Sequence, residues 1–328
     1  MRTNMTIILI FAILLMGCGS GQSSPTPPAT PAELTKIRLP MGYIPSVQYA
    51  PFYVAVEKGY FKDAGLEIEF DYKLETDGVA LVGANELPFA IASGEQVPLA
   101  RAQGLPVVYV LAWWHDYPVA VVAMEGEKIL SPGDLKGKKI GLPGPFGASY
   151  VGLRALLDIA GLSEDDIIMD SIGFNQVEAL VAGQEQAVVV YANNEPIQLQ
   201  DRGYDINTIR VADYVSLTSN GLITNETTIA NDPDLVHRMV QAVLKGVQDT
   251  ISNPDEAFEI SKKYVEGLDK NAAIQRQVLM TSIEFWKTKQ PGVSDMEAWE
   301  NMQEILLEMG MLKAPIDLSK AFSNEFVR

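Results

Sequence analysis

Cysteine is nearly absent from this chain: Cys18 is the only one in 328 residues. A lone thiol closes no intramolecular disulfide and supplies no Cys-based metal site. Histidine is almost as scarce, and His115 and His237 stand far apart without HExxH-like spacing, so a metal site or a His-based catalytic triad has little support. His237 falls in the helical pattern Leu235-Val236-His237-Arg238-Met239-Val240 and reads as a surface residue of it. Basic residues are outnumbered, 25 Lys and Arg against 42 Asp and Glu, giving a formal charge of −17. That balance argues against nucleic acid and against a polyanion held by bulk electrostatics, while leaving room for a local anion site. The uncharged apolar run from Ile7 to Met16 is too short to span a bilayer. No internal repeat is visible.

What that run does have is the size of a signal-peptide core, with Arg2 ahead of it. It ends in Leu15-Met16-Gly17-Cys18, which resembles the lipobox of bacterial lipoproteins: an aliphatic residue, a small residue before the cut, then Cys. The resemblance implies a signal peptide over residues 1–17, lipidation of Cys18 and attachment to the cell membrane on its extracytoplasmic face. One acyl chain holds a protein only marginally, with a constant of about 10⁴ M⁻¹, so a second chain makes the attachment lasting. Gly19-Ser20-Gly21-Gln22-Ser23-Ser24-Pro25-Thr26-Pro27-Pro28-Ala29-Thr30-Pro31 mixes flexible and stiff residues without aliphatic periodicity. Residues 18–35 therefore read as a tether.

From Lys36 the pattern changes. Lys36-Ile37-Arg38-Leu39 and Glu67-Ile68-Glu69-Phe70 alternate as half-buried strands do, and the stretch Pro51 to Phe61 between them reads as a helix ended at Gly59. That is a βαβ unit. The same rhythm predicts a helix over 77–83, a strand over 88–92, a helix over 95–103 and a strand over 107–112. A second series follows, with strands at 139–142, 167–172 and 187–191 and helices at 148–160, 177–182 and 196–202. Beyond Asn225 everything reads as helix, and Leu235, Val236, Met239, Val240, Val243, Leu244, Val247 and Ile251 share one face. Three further helical stretches fall at 256–265, 272–287 and 294–309. The simplest architecture is α/β with two lobes: residues 36–118 with 218–328 form lobe one, residues 119–217 are inserted as lobe two, and the helical tail closes back on lobe one. Ligands of such folds lie beyond the carboxyl ends of strands, so the loops after each strand are the ones that matter.

The stretch Met41-Gly42-Tyr43-Ile44-Pro45-Ser46-Val47-Gln48-Tyr49-Ala50-Pro51-Phe52-Tyr53-Val54-Ala55-Val56-Glu57-Lys58-Gly59-Tyr60-Phe61 resembles the opening of substrate-binding proteins of ABC importers. The branch is the one that takes thiamine pyrimidine precursors, riboflavin, sulfonates and nitrate. Ala92-Ser93-Gly94-Glu95-Gln96, Leu135-Lys136-Gly137-Lys138-Lys139-Ile140-Gly141 and Tyr191-Ala192-Asn193-Asn194-Glu195-Pro196 agree in order. The resemblance implies the type II periplasmic-binding-protein fold, two lobes closing over one small molecule, delivery to a permease with its ATPase, and a monomer that needs no cofactor. Pyrimidine-handling members often carry a Pro-Asn-Thr-Asn-His-like segment where this chain has Pro45-Ser46-Val47-Gln48-Tyr49, so the His and both Asn are missing. The likeness is closer to riboflavin-binding members, which makes a flavin the expected ligand. A pyrimidine precursor or another aromatic or sulfonate ligand is the alternative.

Candidate ligand contacts follow from residue type. Trp113-Trp114-His115-Asp116-Tyr117-Pro118 places aromatics where the chain crosses between lobes, and alternation along a strand would turn one of Trp113 and Trp114 to the cleft and the other to packing. Tyr43 and Tyr49, with Ser46 and Gln48 between them, offer rings and paired donors and acceptors, or simply loop packing. Ser93 and Gln96 sit at a strand-to-helix junction, where capping is the favoured role of Ser93. Gly141 to Tyr150 is a Gly-rich turn into a helix without a Walker Lys, making Phe146 and Ser149 candidates beside backbone N–H groups that suit a neutral oxygen as well as phosphate. Tyr191, Asn193 and Glu195 end the last lobe-two strand, and Glu195 is either an acceptor for ligand N–H or hydroxyl groups or a helix-start carboxylate. Asn220 reads as a turn residue. An enzyme of the related pyrimidine-synthase type would want the missing His, and a surface sensor lipoprotein is the remaining non-transport reading.

Overall fold

The structure, a computed structural model, describes residues 33–328. The predicted signal segment, Cys18 and the tether as far as Ala32 lie outside the described residues. Ten strands are present among them: β1 (Thr35–Pro40), β2 (Leu66–Asp71), β3 (Ala90–Ala92), β4 (Val107–Ala112), β5 (Val119–Met124), β6 (Lys139–Leu142), β7 (Ile168–Ser171), β8 (Ala187–Tyr191), β9 (Ile206–Arg210) and β10 (Gly221–Asn225). The helices of the first half are α1 (Ala50–Glu57), α2 (Tyr60–Asp63), α3 (Glu75–Gly83), α4 (Gln96–Ala102), α5 (Gly147–Ile159), α6 (Gln176–Val181) and α7 (Glu195–Asp201). The tail adds α8 (Glu226–Asn231), α9 (Pro233–Ser252), α10 (Pro254–Ser261), α11 (Ala272–Trp286) and α12 (Met296–Glu308).

These strands build two lobes. In the first, β1 pairs with β2 in parallel across α1, while β10 lies between β3 and β4 and runs antiparallel to both. In the second, five strands take the order β7-β6-β8-β5-β9, with β5 antiparallel to β8 and β9 and the other pairs parallel. The sequence pattern did not predict β5, β9 or β10. For β5 the cause is burial on both faces: Val119, Val121 and Ala123 enter one core and Ala120 and Val122 another, so no two-residue alternation is left to read.

Lobe one is packed by the helical tail. Asp232 accepts the Leu235 N–H at 2.9 Å and Pro233 occupies the first helical turn, which starts α9. Its apolar face, Val236, Met239, Val240, Val243 and Val247, buries against α1 in the same core as Phe52 and Val54. Gly246 permits that approach, because a Cβ there would stand 2.2 Å from the Pro51 carbonyl oxygen. The tail also reaches further than lobe one: Met302, Ile305 and Leu306 of α12 enter the lobe-two core beside Leu153 and Leu156. Among the described residues no helix is long and apolar enough to cross a membrane. Two crossings join the lobes, from β4 to β5 and from β9 to β10. The second crossing packs on Gly94 in the loop after β3, where a Cβ would fall 2.3 Å from the Thr218 carbonyl oxygen and only glycine fits.

Candidate functional site

Between the lobes lies a cleft of about 400 Å³. Lobe one contributes Met41, Gly42, Tyr43, Gln48, Tyr49, Leu74, Glu75, Thr76, Ile91, Ala92, Gln96, Trp113 and Trp114, and lobe two contributes Pro143, Phe146, Gly147, Ala148, Ser149, Phe174, Gln176, Tyr191, Asn194 and Glu195, with Asn220 at the return crossing. Most come from the loops that follow β1, β2, β4, β6, β7 and β8, which is where open α/β sheets collect ligand contacts.

Of the residues singled out from the sequence, Tyr43, Gln48, Tyr49, Gln96, Trp113, Trp114, Phe146, Ser149, Tyr191 and Glu195 line this cleft, whereas Ser46, Ser93 and Asn193 do not. Ser46 caps a short 3₁₀ turn by accepting the Gln48 N–H at 3.3 Å. Asn193 is fully buried and donates from Nδ2 to Ser282 Oγ on α11 at 2.8 Å. Ser93 is not a helix cap: its hydroxyl lies between two carboxyls, 2.7 Å from Glu75 Oε1 and 2.5 Å from Glu95 Oε1. Sequence reasoning missed Met41, Leu74, Glu75, Thr76, Phe174, Gln176 and Asn194. The loops after β2 and β7 were pointed to by the strand-end rule, but no residue type in them stood out.

Both tryptophans face the cleft, contrary to the alternation expected for a strand. β4 ends at Ala112, the chain bends at Trp113, and the backbone N–H groups of Trp113 and Trp114 then donate to the Asn220 carbonyl, at 3.2 and 3.0 Å. Asn220 is thus the bracket that holds the Trp pair rather than a plain turn residue. Trp113 is 3% exposed, stacked on Tyr49 with centroids 5.4 Å apart and met edge-on by Phe52 at 5.0 Å. Trp114 meets Tyr191 edge-on at 6.3 Å. Tyr49 is fixed in turn by donating its hydroxyl to the Met41 carbonyl at 2.7 Å. At the mouth, Tyr43 of lobe one meets Phe174 of lobe two edge-on at 5.4 Å, while Leu74, Phe146 and Phe174 are exposed.

Charge in the cleft is unusual for a protein this acidic. Among the described lining residues there is no Lys, Arg or His, and the two ionisable carboxyls, Glu75 and Glu195, belong to opposite lobes. Burial is the main cause that raises the Glu195 carboxyl, opposed by donors from the Tyr191 backbone at 3.0 Å and Asn194 Nδ2 at 3.0 Å. Glu75 is pushed up to about 8, first by burial and then by its neighbour Glu95. Glu95 is 0% exposed and is raised by the same desolvation. On lobe two the 13-residue helix α5 begins at the cleft, its first residues Gly147, Ala148 and Ser149 all in the wall. The free N–H groups of such a helix start suit a carbonyl or hydroxyl oxygen.

Two α/β lobes around a cleft, with the chain crossing twice, define the periplasmic-binding-protein fold. The periplasmic aliphatic sulphonate binding protein SsuA from Escherichia coli shares it, with a TM-score of 0.72 over 89% of this chain and 99% of its own at 13% identity. Sequence is more particular. The chain belongs to the NMT1/THI5-like family, whose model matches residues 46–257. Riboflavin-binding protein RibY from Chloroflexus aurantiacus is 38% identical over 100% of this chain and 98% of its own. A formylaminopyrimidine-binding protein from Halalkalibacterium halodurans is 27% identical over 99% of each chain.

Proposed function

We propose that this protein is the extracytoplasmic substrate-binding component of an ABC importer and that its ligand is riboflavin. The observation that carries the reading is the cleft itself: about 400 Å³, walled by Tyr43, Tyr49, Trp113, Trp114, Phe146 and Tyr191, and without a cationic side chain in its lining. The volume falls within the about 300 to 1,000 Å³ of small-molecule sites. Aromatic walls favour a planar ring by about 0.5 to 1.5 kcal/mol for each stacked pair beyond the area buried. An anion would have to enter beside Glu75 and Glu195 with no counter-charge, so an uncharged ring fits better than a sulfonate or phosphate. Gln48, Gln96, Ser149 and Glu195 supply the polar contacts that fix its edges. The relation to RibY supports the flavin over the pyrimidine, and so does Tyr49 in place of the His of pyrimidine-handling members.

Function here is binding without covalent chemistry: ligand bridges the lobes and favours their closed arrangement, which a permease and its ATPase then recognise. Cys18 carries the lipid, and the segment from Cys18 to the start of β1 is the tether that keeps the body concentrated near its permease. The experiment is titration of the purified body with riboflavin, its phosphate monoester and formylaminopyrimidine, followed by flavin and tryptophan fluorescence. Riboflavin is expected to bind tightest and the phosphate ester more weakly. Tight pyrimidine binding with a flat riboflavin curve would reverse the ligand choice. Separately, Cys18→Ser is expected to release the protein from membranes with its riboflavin affinity unchanged, as fractionation and titration together would reveal.

A further inference from the structure

The lobe-two wall of the cleft is a row. Its sheet runs β7-β6-β8-β5-β9, and the two crossings attach at β5 and β9, so β8, β6 and β7 stand progressively farther from the hinge. These three strands are parallel, and the loops after them bring Glu195, Ser149 and Gln176 to one edge. Neighbouring strands lie about 4.8 Å apart, so the row reaches about 10 Å outward from the Glu195 loop to the Gln176 loop. The aromatic wall belongs to the inner end, where Trp113 stacks on Tyr49 and Trp114 meets Tyr191 edge-on.

Gln176, the first residue of α6, is 5% exposed and lines the cleft, and its side-chain amide makes no hydrogen bond to any described residue. Phe174, just before it in the chain, is 66% exposed and meets Tyr43 across the mouth, so Gln176 stands behind the rim and not on it. At the inner end the polar groups are engaged within lobe two. Glu195 accepts from the Tyr191 N–H and from Asn194 Nδ2, and Asn194 Oδ1 accepts from Gln198 Nε2, each at 3.0 Å. The fold thus uses the inner polar groups and leaves the outer amide free. A buried amide stripped of water without a replacement partner weakens whatever complex strips it. Gln176 carries two N–H donors and an acceptor oxygen, and a hydroxyl, which both donates and accepts, answers either. A ring carbonyl answers only the donors. With no Lys, Arg or His among the described lining residues, nothing in the wall neutralises a phosphate at that end.

We propose that Gln176 is the specificity residue for the outer part of the ligand, and that this part is an uncharged hydroxylated chain carried by the ring that the aromatic wall holds. The inference rests on reading the cleft as a heteroaromatic ligand's site and names the substituent that the ring must bear. Ser149, one strand nearer the hinge, stands between the two parts.

Riboflavin and lumiflavin test it, since they share the ring and lumiflavin has a methyl group in place of the ribityl chain. Titrations followed by flavin fluorescence are expected to find riboflavin bound at least about tenfold tighter by the parent, and Gln176→Leu to shrink that preference by about tenfold. Equal affinities in the parent, or a preference that Gln176→Leu leaves intact, overturns the proposal. The ligand-free proteins give the second measurement. An amide that the fold does not use can be replaced by an apolar side chain of similar size without loss, so the thermal midpoint of Gln176→Leu is expected to match the parent's or exceed it. A midpoint lowered by several degrees shows the amide bonded within the fold and also overturns it. If neither flavin binds, the riboflavin reading falls and the midpoint decides Gln176 alone: unchanged or raised, it supports a free reader, and lowered, it overturns one.

Discussion

Trp113 belongs to the cleft and to the core at once. One side of it faces the space between the lobes, and the rest is held by Tyr49, Phe52 and Trp286 at centroid distances of 5.4, 5.0 and 6.0 Å. Trp113→Ala would remove a wall and leave a cavity in the same stroke, with an expected loss of about 3 to 5 kcal/mol of stability. Trp113→Phe keeps a ring on the Tyr49 face and is expected to lose well under half of that. Urea unfolding of the two variants against the parent checks this, and equal midpoints for all three would mean the packing around Trp113 is not rigid. Binding loss is then informative only in the Phe variant. The same double duty explains how much of the site was legible in the sequence. Rings after strands, Phe174 excepted, were readable because large apolar side chains next to a crossing have few other places to go. Short polar side chains were not: Ser46, Ser93 and Asn193 looked like ligand partners but are spent on a turn, a carboxyl pair and α11. Which hydrogen bond a serine makes depends on what the fold brings beside it, and Glu75 is separated from Ser93 by a helix and a strand.

At the scale of elements, periodicity read correctly for several elements with one wet face, though it missed β9, whose five residues are mostly half-exposed. The buried stripe of α9 and the alternation of β1 are of that kind. It was silent for β5, whose six residues are nearly all buried, and for β10, which is sandwiched between β3 and β4. The expected helical tail is present, yet its role is wider than a cover for lobe one. Helix α11 carries Val278, Leu279 and Ile283 into the lobe-one core and, from the turn between them, offers Ser282 Oγ to Asn193 just past β8 of lobe two. That bond ties the end of the central lobe-two strand to the tail. Asn193 is entirely buried and its Oδ1 has no hydrogen-bond partner, so loss of Ser282 Oγ would strand the Nδ2 donor as well. Ser282→Ala is expected to cost about 1 to 3 kcal/mol, the penalty of an unsatisfied buried amide. A thermal midpoint unchanged from the parent would show that Asn193 finds another partner and that the tie is dispensable.

For the whole molecule, the buried acids set how stability depends on pH, and the sign is opposite to that of an ordinary salt-bridged carboxylate. Glu75, Glu95 and Glu195 are all raised in the folded state, burial being the first cause in each. The folded protein therefore holds more protons than the unfolded chain at any pH between the unfolded glutamate value, about 4.3, and the folded ones. Stability must fall as pH rises through that window, by up to about 1.4 kcal/mol per pH unit for each proton involved. Carboxyls held low by partners act the other way and at lower pH. Glu57 is lowered chiefly by Lys263, and Glu178 chiefly by Arg202, and their contribution is lost as pH falls through the acid range. The net charge of −17 adds repulsion on the alkaline side. Together these place the expected maximum of stability near about pH 5, with a decline toward pH 8 that ordinary surface acids would not produce. Glu95→Gln removes one of the raised groups and lowers the next, so the decline is expected to be shallower in that variant, while Glu178→Gln should keep the slope of that decline, lower the midpoint evenly above the acid range and leave the most acidic midpoints unchanged. Calorimetric midpoints measured from about pH 4 to about pH 8.5 separate the two limbs. A parent midpoint that climbs from pH 5 to pH 8 would mean the three acids are ionised in the folded protein, and the uncharged cleft with them would be lost.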